Sequence, residues 1–142
     1  MLVLDTNVLA ESVRAEPAPA VADWLRAQPR QELFTTTISL AEMAFGIALM
    51  PVGKRRASLE QAIERLFGIA FADRLLPFDE AAARRYPEFA VARQRLGLHI
   101  APADAQIVAI ARSRGARGIV TRNLSDFREC GLSLINPWDT RV

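Results

Sequence analysis

The chain has 142 residues, 51% hydrophobic and 24% charged, with a formal net charge of +2. That is enough for one ordinary domain with a real core, and the expected organisation is a single domain over 1–142; the composition excludes fibrous and disordered classes. Cys130 is the sole cysteine, which excludes an internal disulfide and fits a reducing, cytoplasmic setting. The N-terminal apolar run breaks at Asp5, too early for a signal peptide, and the longest apolar stretch, 43–52, is too short to span a bilayer.

Charge is unevenly placed. Residues 1–50 hold three basic and six acidic groups, 51–100 nine and six, and 101–142 six and four. An acidic front and a basic middle suit a cation site beside an anion-binding rim. Seventeen of the 18 basic residues are Arg, the side chain suited to bidentate phosphate contact, although an Arg-biased genome accounts for the count as well.

In chain order, the apolar run before Asp5 reads as a buried strand with Asp5 at its carboxyl end. A short helix is expected over 8–14. Pro17 and Pro19 then open a second helix that turns Val21, Trp24 and Leu25 inward and stops at Pro29. Residues 33–36 read as a second strand and 37–49 as a helix, with Ile38, Ala41, Phe45 and Ala48 at helical period. Ser39 and Glu42 have capping-box spacing. After Pro51 and Gly53, residues 54–72 form a long amphipathic helix carrying Leu59, Ile63, Leu66 and Phe67. The stretch 75–78 is extended and, with Pro77, fits a sheet edge. Asp79 caps a helix to about Leu96, kinked or split at Pro87 and closed by Gly97. Pro102 opens a helix to Ser113 with Ile107, Val108 and Ile110 inward. Strands follow at 118–121 and 132–135, separated by a tight turn over 122–127. Strands alternating with helices predict an α/β fold: three layers, a mostly parallel sheet of about four or five strands, and helices on both faces.

On this map Asp5, Glu42, Asp104 and Asp126 all fall at strand ends or helix beginnings on one edge of the sheet. Each alone fits a helix cap, because helix N-termini favour carboxylates. Together they would repel. At about 4 Å and an effective dielectric of roughly 20, each like-charge pair costs about 4 kcal/mol. A hard divalent cation removes that cost, and oxygen-only donors point to Mg²⁺ or Mn²⁺. One Cys and one His exclude a zinc site, and His99 reads as a loop or core residue rather than a base.

The segments LDTNVL at 4–9, ISLAEMAFG at 38–46, PADAQIVAIA at 102–111, VTRNLSDF at 120–127 and NPW at 136–138 occur in an order and spacing that resembles the PIN-domain proteins, and within them the VapC or FitB-type toxins of type II toxin–antitoxin pairs. The resemblance covers essentially the whole chain. It implies that Asp5, Glu42 and Asp104 hold metal, with Asp126 as a fourth acidic position of variable role. It implies that Thr6, Asn7, Ser39, Thr121 and Asn123 line or brace the pocket, and that Gly46 is a helix-packing position. Pro87 departs from the expected pattern, and Asp79, which also fits this branch, reads as a cap.

The residues and the resemblance agree on metal-assisted phosphodiester hydrolysis, in which a cation polarises phosphate and activates water. The resemblance implies an RNA substrate, with tRNA or another structured RNA as a candidate. Arg84, Arg85, Arg93 and Arg95 are candidates for a phosphate-tracking rim or, equally, a solvated helix face. It also implies a homodimer, and an antitoxin whose tail lies over the site and sets a basic residue among the carboxylates. DNA contact would come through that antitoxin, because the chain has no helix-turn-helix or ribbon reader. Other classes fit less well. A haloacid-dehalogenase-type phosphatase needs a second Asp where Asn7 stands, and a receiver domain needs a Lys after a late strand, whereas Lys54 lies in a helix. The remaining alternative is a catalytically silent PIN-type binding module.

Overall fold

The structure, a computed structural model, describes residues 1–139. Strands β1 (Leu2–Leu4), β2 (Leu33–Thr36), β3 (Leu75–Leu76), β4 (Gly118–Val120) and β5 (Ser133–Ile135) form one sheet in the order β3-β2-β1-β4-β5. Every neighbouring pair is parallel. Helices α1 (Thr6–Ser12), α2 (Pro19–Ala27), α3 (Thr37–Ala48), α4 (Lys54–Arg65), α5 (Glu80–Arg95) and α6 (Pro102–Ser113) cover it. The expected three-layer α/β arrangement is therefore present, and the stretch leading into Pro77 is an edge strand.

Strand side chains alternate between faces, and this divides the core in two. Val3 and Ile119 pack with Phe89 of α5 and with α6. Leu2, Leu4 and Val120 pack with Val8, Val21, Met43 and Ile63 of α1 to α4. Helix α6 is buried at Ala105 and continuously from Ile107 to Ala111, as expected of a helix enclosed on most sides. Each fully buried aliphatic side chain there contributes about 1.5–3 kcal/mol. Gly118 permits the close approach of β4 and β5: a Cβ at this position would lie 2.9 Å from the Ser133 carbonyl oxygen.

The topology decides where a ligand can sit. The chain leaves β1 towards β2 on one side, and β4 returns to pair with β1 on the other. The crevice beyond the carboxyl ends of the strands at such a reversal is the usual binding place in open parallel sheets. Asp5, Thr36 and Thr121 stand directly after or at the ends of β1, β2 and β4.

Several local expectations change. Helix α1 begins at Thr6 rather than Val8, because the Asp5 carboxylate accepts from the Thr6 amide at 2.8 Å and caps it there. The cap of α3 is Thr36, whose hydroxyl accepts from the Ser39 amide at 3.1 Å, so Ser39 and Glu42 do not form a capping box. The inward face of α3 follows Ser39, Met43 and the half-buried Leu40 and Ile47; Phe45 is 66% exposed. The helix expected over 54–72 stops at Arg65 and continues as a π turn, Leu66–Ala70, in which the Phe71 amide reaches back to the Leu66 carbonyl at 2.9 Å. The extra residue leaves Phe67 and Phe71 both buried. Helix α5 runs unsplit through Pro87. It ends in a Schellman pair, Leu98 N–H to the Arg93 carbonyl and Gly97 N–H to the Gln94 carbonyl, with Gly97 at φ +69°.

Candidate active site

Asp5 is the most rigidly held of the four acidic residues. It is 4% exposed, and each carboxylate oxygen has a donor: the Thr6 amide on Oδ1 and the Thr121 hydroxyl on Oδ2, both at 2.8 Å. Cap and candidate site residue are thus the same group. Burial pushes its pKa up, its two donors oppose that, and the charges of Glu42 and Asp126 push it further up.

Thr121, fully buried at the end of β4, ties the neighbourhood together. Its oxygen accepts from Asn7 Nδ2 at 3.3 Å and from the Asn123 amide at 3.0 Å while its proton goes to Asp5. Asn7 Oδ1 in turn accepts from the Arg122 amide at 3.3 Å. The Asn7, Thr121 and Asn123 positions therefore brace the turn after β4 against the start of α1.

Glu42, on the second turn of α3, accepts from the Thr6 hydroxyl at 2.7 Å. Asp104 lies in the first turn of α6 and Asp126 in the 3₁₀ turn Leu124–Phe127. Asp104 is half-buried, and its pKa rises from 3.8 to about 7, first by burial and then through the charges of Asp5, Asp126 and Glu42; Arg93 offsets part of this. Four carboxylates from distant parts of the chain thus act on one another across the sheet edge. As the side chains lie, no group of three or more His, Cys, Asp or Glu among the described residues encloses an ion-sized space. The donor set nevertheless fits a hard dication in its chemistry. It is all oxygen, its members repel, and one of them holds a proton near neutrality that a dication would displace.

Of the four expected rim arginines, Arg93 departs most from that reading. It is 3% exposed, and its guanidinium donates to the carbonyls of His99 at 2.7 Å, Ser125 at 3.2 Å and Arg128 at 3.1 Å, so it is a core tie. It shares the inward face of α5 with Ala82 and Phe89, whereas arginine as a residue type argued for the surface. Arg84 pairs with Glu80, and Arg85 with Glu88, on the exposed side of α5; Arg95 is exposed at its end. A groove of about 870 Å³ opens beside Thr6 and Glu42, floored by Met43, Ile47 and Ile63, with Arg14 and Arg55 along it.

The PIN domain profile matches residues 2–131. This chain belongs to the PIN-domain family. The chain is 43% identical over 139 residues to the plasmid stability protein StbB of Pseudomonas syringae pv. tomato, covering 98% of this chain and 99% of that one. It is 42% identical over 139 residues to the VapC ribonuclease Y4jK of Sinorhizobium fredii, with the same coverage. Among solved structures, FitAB bound to the IR36 DNA fragment contains a chain with a TM-score of 0.90 and 33% identity, covering 100% of this chain and 99% of that chain. One participant in the PIN-domain site was not anticipated from sequence: Thr36, which anchors Ser39. Its signal was a hydroxyl residue at a strand end three positions before another, the spacing of an N-cap and the amide it accepts from.

Proposed function

We propose that this PIN-domain protein is a Mg²⁺- or Mn²⁺-dependent endoribonuclease, the toxin of a type II toxin–antitoxin pair. The observation that carries the reading is the mutual action of Asp5, Glu42, Asp104 and Asp126 at the topological reversal of the sheet, where an anionic phosphodiester would otherwise be repelled. Relatives named as a ribonuclease and a plasmid stability protein support it, since maintaining a plasmid is a use for a toxin held in check by its partner.

Asp5 and Asp104 would be the principal ligands, with Glu42 and Asp126 completing the set. A dication held there supplies charge to the phosphate and acidifies a water. The protein's own share is orientation. Thr6 N–H and Thr121 hold Asp5 still, Thr6 Oγ1 holds one oxygen of Glu42, and the Asn7–Thr121–Asn123 brace holds the turn bearing Asp126. The groove beside Thr6 and Glu42 is where an antitoxin tail would lie, its cation replacing the metal's charge among the carboxylates. Contact with DNA would then be the antitoxin's. No helix among the described residues is long and apolar enough to cross a membrane.

Purified protein incubated with structured RNA and Mg²⁺ is expected to cleave it, and EDTA or Asp5→Asn is expected to abolish cleavage. A second reading, a silent binding module, is favoured by one observation: among the described residues no three His, Cys, Asp or Glu side chains are grouped so as to hold an ion. RNA binding without cleavage in either metal would establish that reading instead.

A further inference from the structure

Resting on the reading above, we propose that Ser39 is a positioning residue that sets the orientation of Glu42 through Thr6. Each hydroxyl of a chain has a single proton to give. Thr6 Oγ1 lies 2.7 Å from Glu42 Oε1 and 2.9 Å from Ser39 Oγ, but it has one proton. A carboxylate cannot donate, so the Thr6 proton goes to Glu42. Ser39 must then donate to Thr6. Its own oxygen is left to accept from Thr36 Oγ1, 3.5 Å away. The order is therefore single: Thr36 to Ser39 to Thr6 to Glu42.

Burial makes that order binding. Thr36 and Ser39 are fully buried, so water does not compete for their protons. At the inner end Thr36 Oγ1 also accepts from the Ser39 amide, and no buried side-chain nitrogen or oxygen among the described residues lacks a partner. Glu42 at the outer end is an exposed residue on α3 with three free side-chain torsions. The hydroxyl chain is what fixes its Oε1. Ser39 and Glu42 lie three residues apart on α3, yet the link between them runs through α1. The hydroxyl chain therefore also ties α1, which follows Asp5, to the helix that bears Glu42.

The cap of α3 is separable from this role. Thr36 Oγ1 caps by accepting from the Ser39 backbone amide at 3.1 Å, a bond that Ser39→Ala retains. A purely structural Ser39 would contribute the same whatever stands at position 42. A positioning Ser39 would not.

The test is a double-mutant cycle in EDTA, using the urea midpoints of the unsubstituted protein, Ser39→Ala, Glu42→Ala and the pair, repeated with Thr6→Val in place of Ser39→Ala. The same proteins are then titrated with Mn²⁺ by calorimetry. Ser39→Ala is expected to lower the midpoint and to weaken Mn²⁺ binding about tenfold, as loss of a group that orients a ligand does. Both effects are expected to shrink in the Glu42→Ala background, and Thr6→Val should behave like Ser39→Ala. Equal midpoint shifts in both backgrounds would overturn the hydroxyl chain, whatever the calorimetry shows. Coupled midpoints with undiminished Mn²⁺ affinity in Ser39→Ala would overturn the positioning role alone. Absence of Mn²⁺ binding by the unsubstituted protein would sink the metal-site reading and the positioning role with it, while coupled midpoints would still establish that Ser39 and Glu42 are linked through Thr6.

Discussion

Replacing Asp104 by Asn is expected to stabilise the metal-free protein at neutral pH while removing nuclease activity. In the folded state the Asp104 carboxyl is raised from 3.8 to about 7 by burial and by Asp5, Asp126 and Glu42. A rise of that size corresponds to about 4 kcal/mol between the two protonation states. Because the side chain is only half-buried, solvent screening reduces the usable figure to about 2 kcal/mol. The sign follows from the raised pKa. Well below pH 3.8 the carboxyl is neutral whether the chain is folded or not, and Asn gains little there; at pH 4 the gain has only begun. As the pH climbs towards 7 the unfolded chain ionises first, so the native Asp104 protein loses stability that the Asn variant keeps. The advantage of Asp104→Asn should therefore grow across that window and level off above pH 7. For a domain of this length about 2 kcal/mol is a rise of roughly 6 °C in melting temperature. Thermal unfolding in EDTA at pH 4 and pH 8 measures it. Saturating Mn²⁺ should reverse the ranking, because only the native protein gains strong binding linkage. An Asn variant that is no more stable at pH 8 than the native protein, or that shows an equal gain at pH 4, would refute the account of the crowded carboxylates.

Three further substitutions probe the scaffold. Thr121→Val keeps the shape of a fully buried residue but strips Asp5 Oδ2 of its donor; a loss of about 1–3 kcal/mol is expected, and an unchanged urea midpoint would contradict it. Arg93→Met leaves three carbonyls without their donor and should cost about 3 kcal/mol or more by the same measurement, whereas Arg84→Ala and Arg85→Ala should each stay within about 0.5 kcal/mol. Gly118→Ala places a methyl 2.9 Å from the Ser133 carbonyl and 3.1 Å from Leu2 Cδ2, so β4 and β5 must part; about 1–3 kcal/mol is expected, together with faster amide exchange in β5.

Much of the fold was legible because its signals are local. An apolar run ending in Asp5, prolines at 19 and 102 opening helices, and Asp79 before a helix are all local signals, and each element appears where expected. What could not be read depended on distant contacts. Ser39 and Glu42 have the spacing of a capping box, but the competing donor for Glu42 is Thr6, 36 residues earlier, and the competing cap is Thr36. Arg93 looks like surface because arginine usually is. Only the arrival of the His99, Ser125 and Arg128 carbonyls around it makes an interior position tolerable. The π turn after Arg65 has no local mark beyond Gly68. The acidic edge was legible for the opposite reason: topology fixes where strand ends lie, and all four residues were placed by topology.

The buried Arg93 has a consequence for how such a notch can be adjusted. One guanidinium gathers the loop that leads into Asp104 and the turn that carries Asp126. The segments that carry both carboxylates are thus tied to a single buried guanidinium. Small shifts of that guanidinium, made by repacking Phe89 beneath it, would alter the gap between the two groups without altering either of them. The interior of α5 thereby bears on the spacing of two carboxylates from behind the surface that carries them.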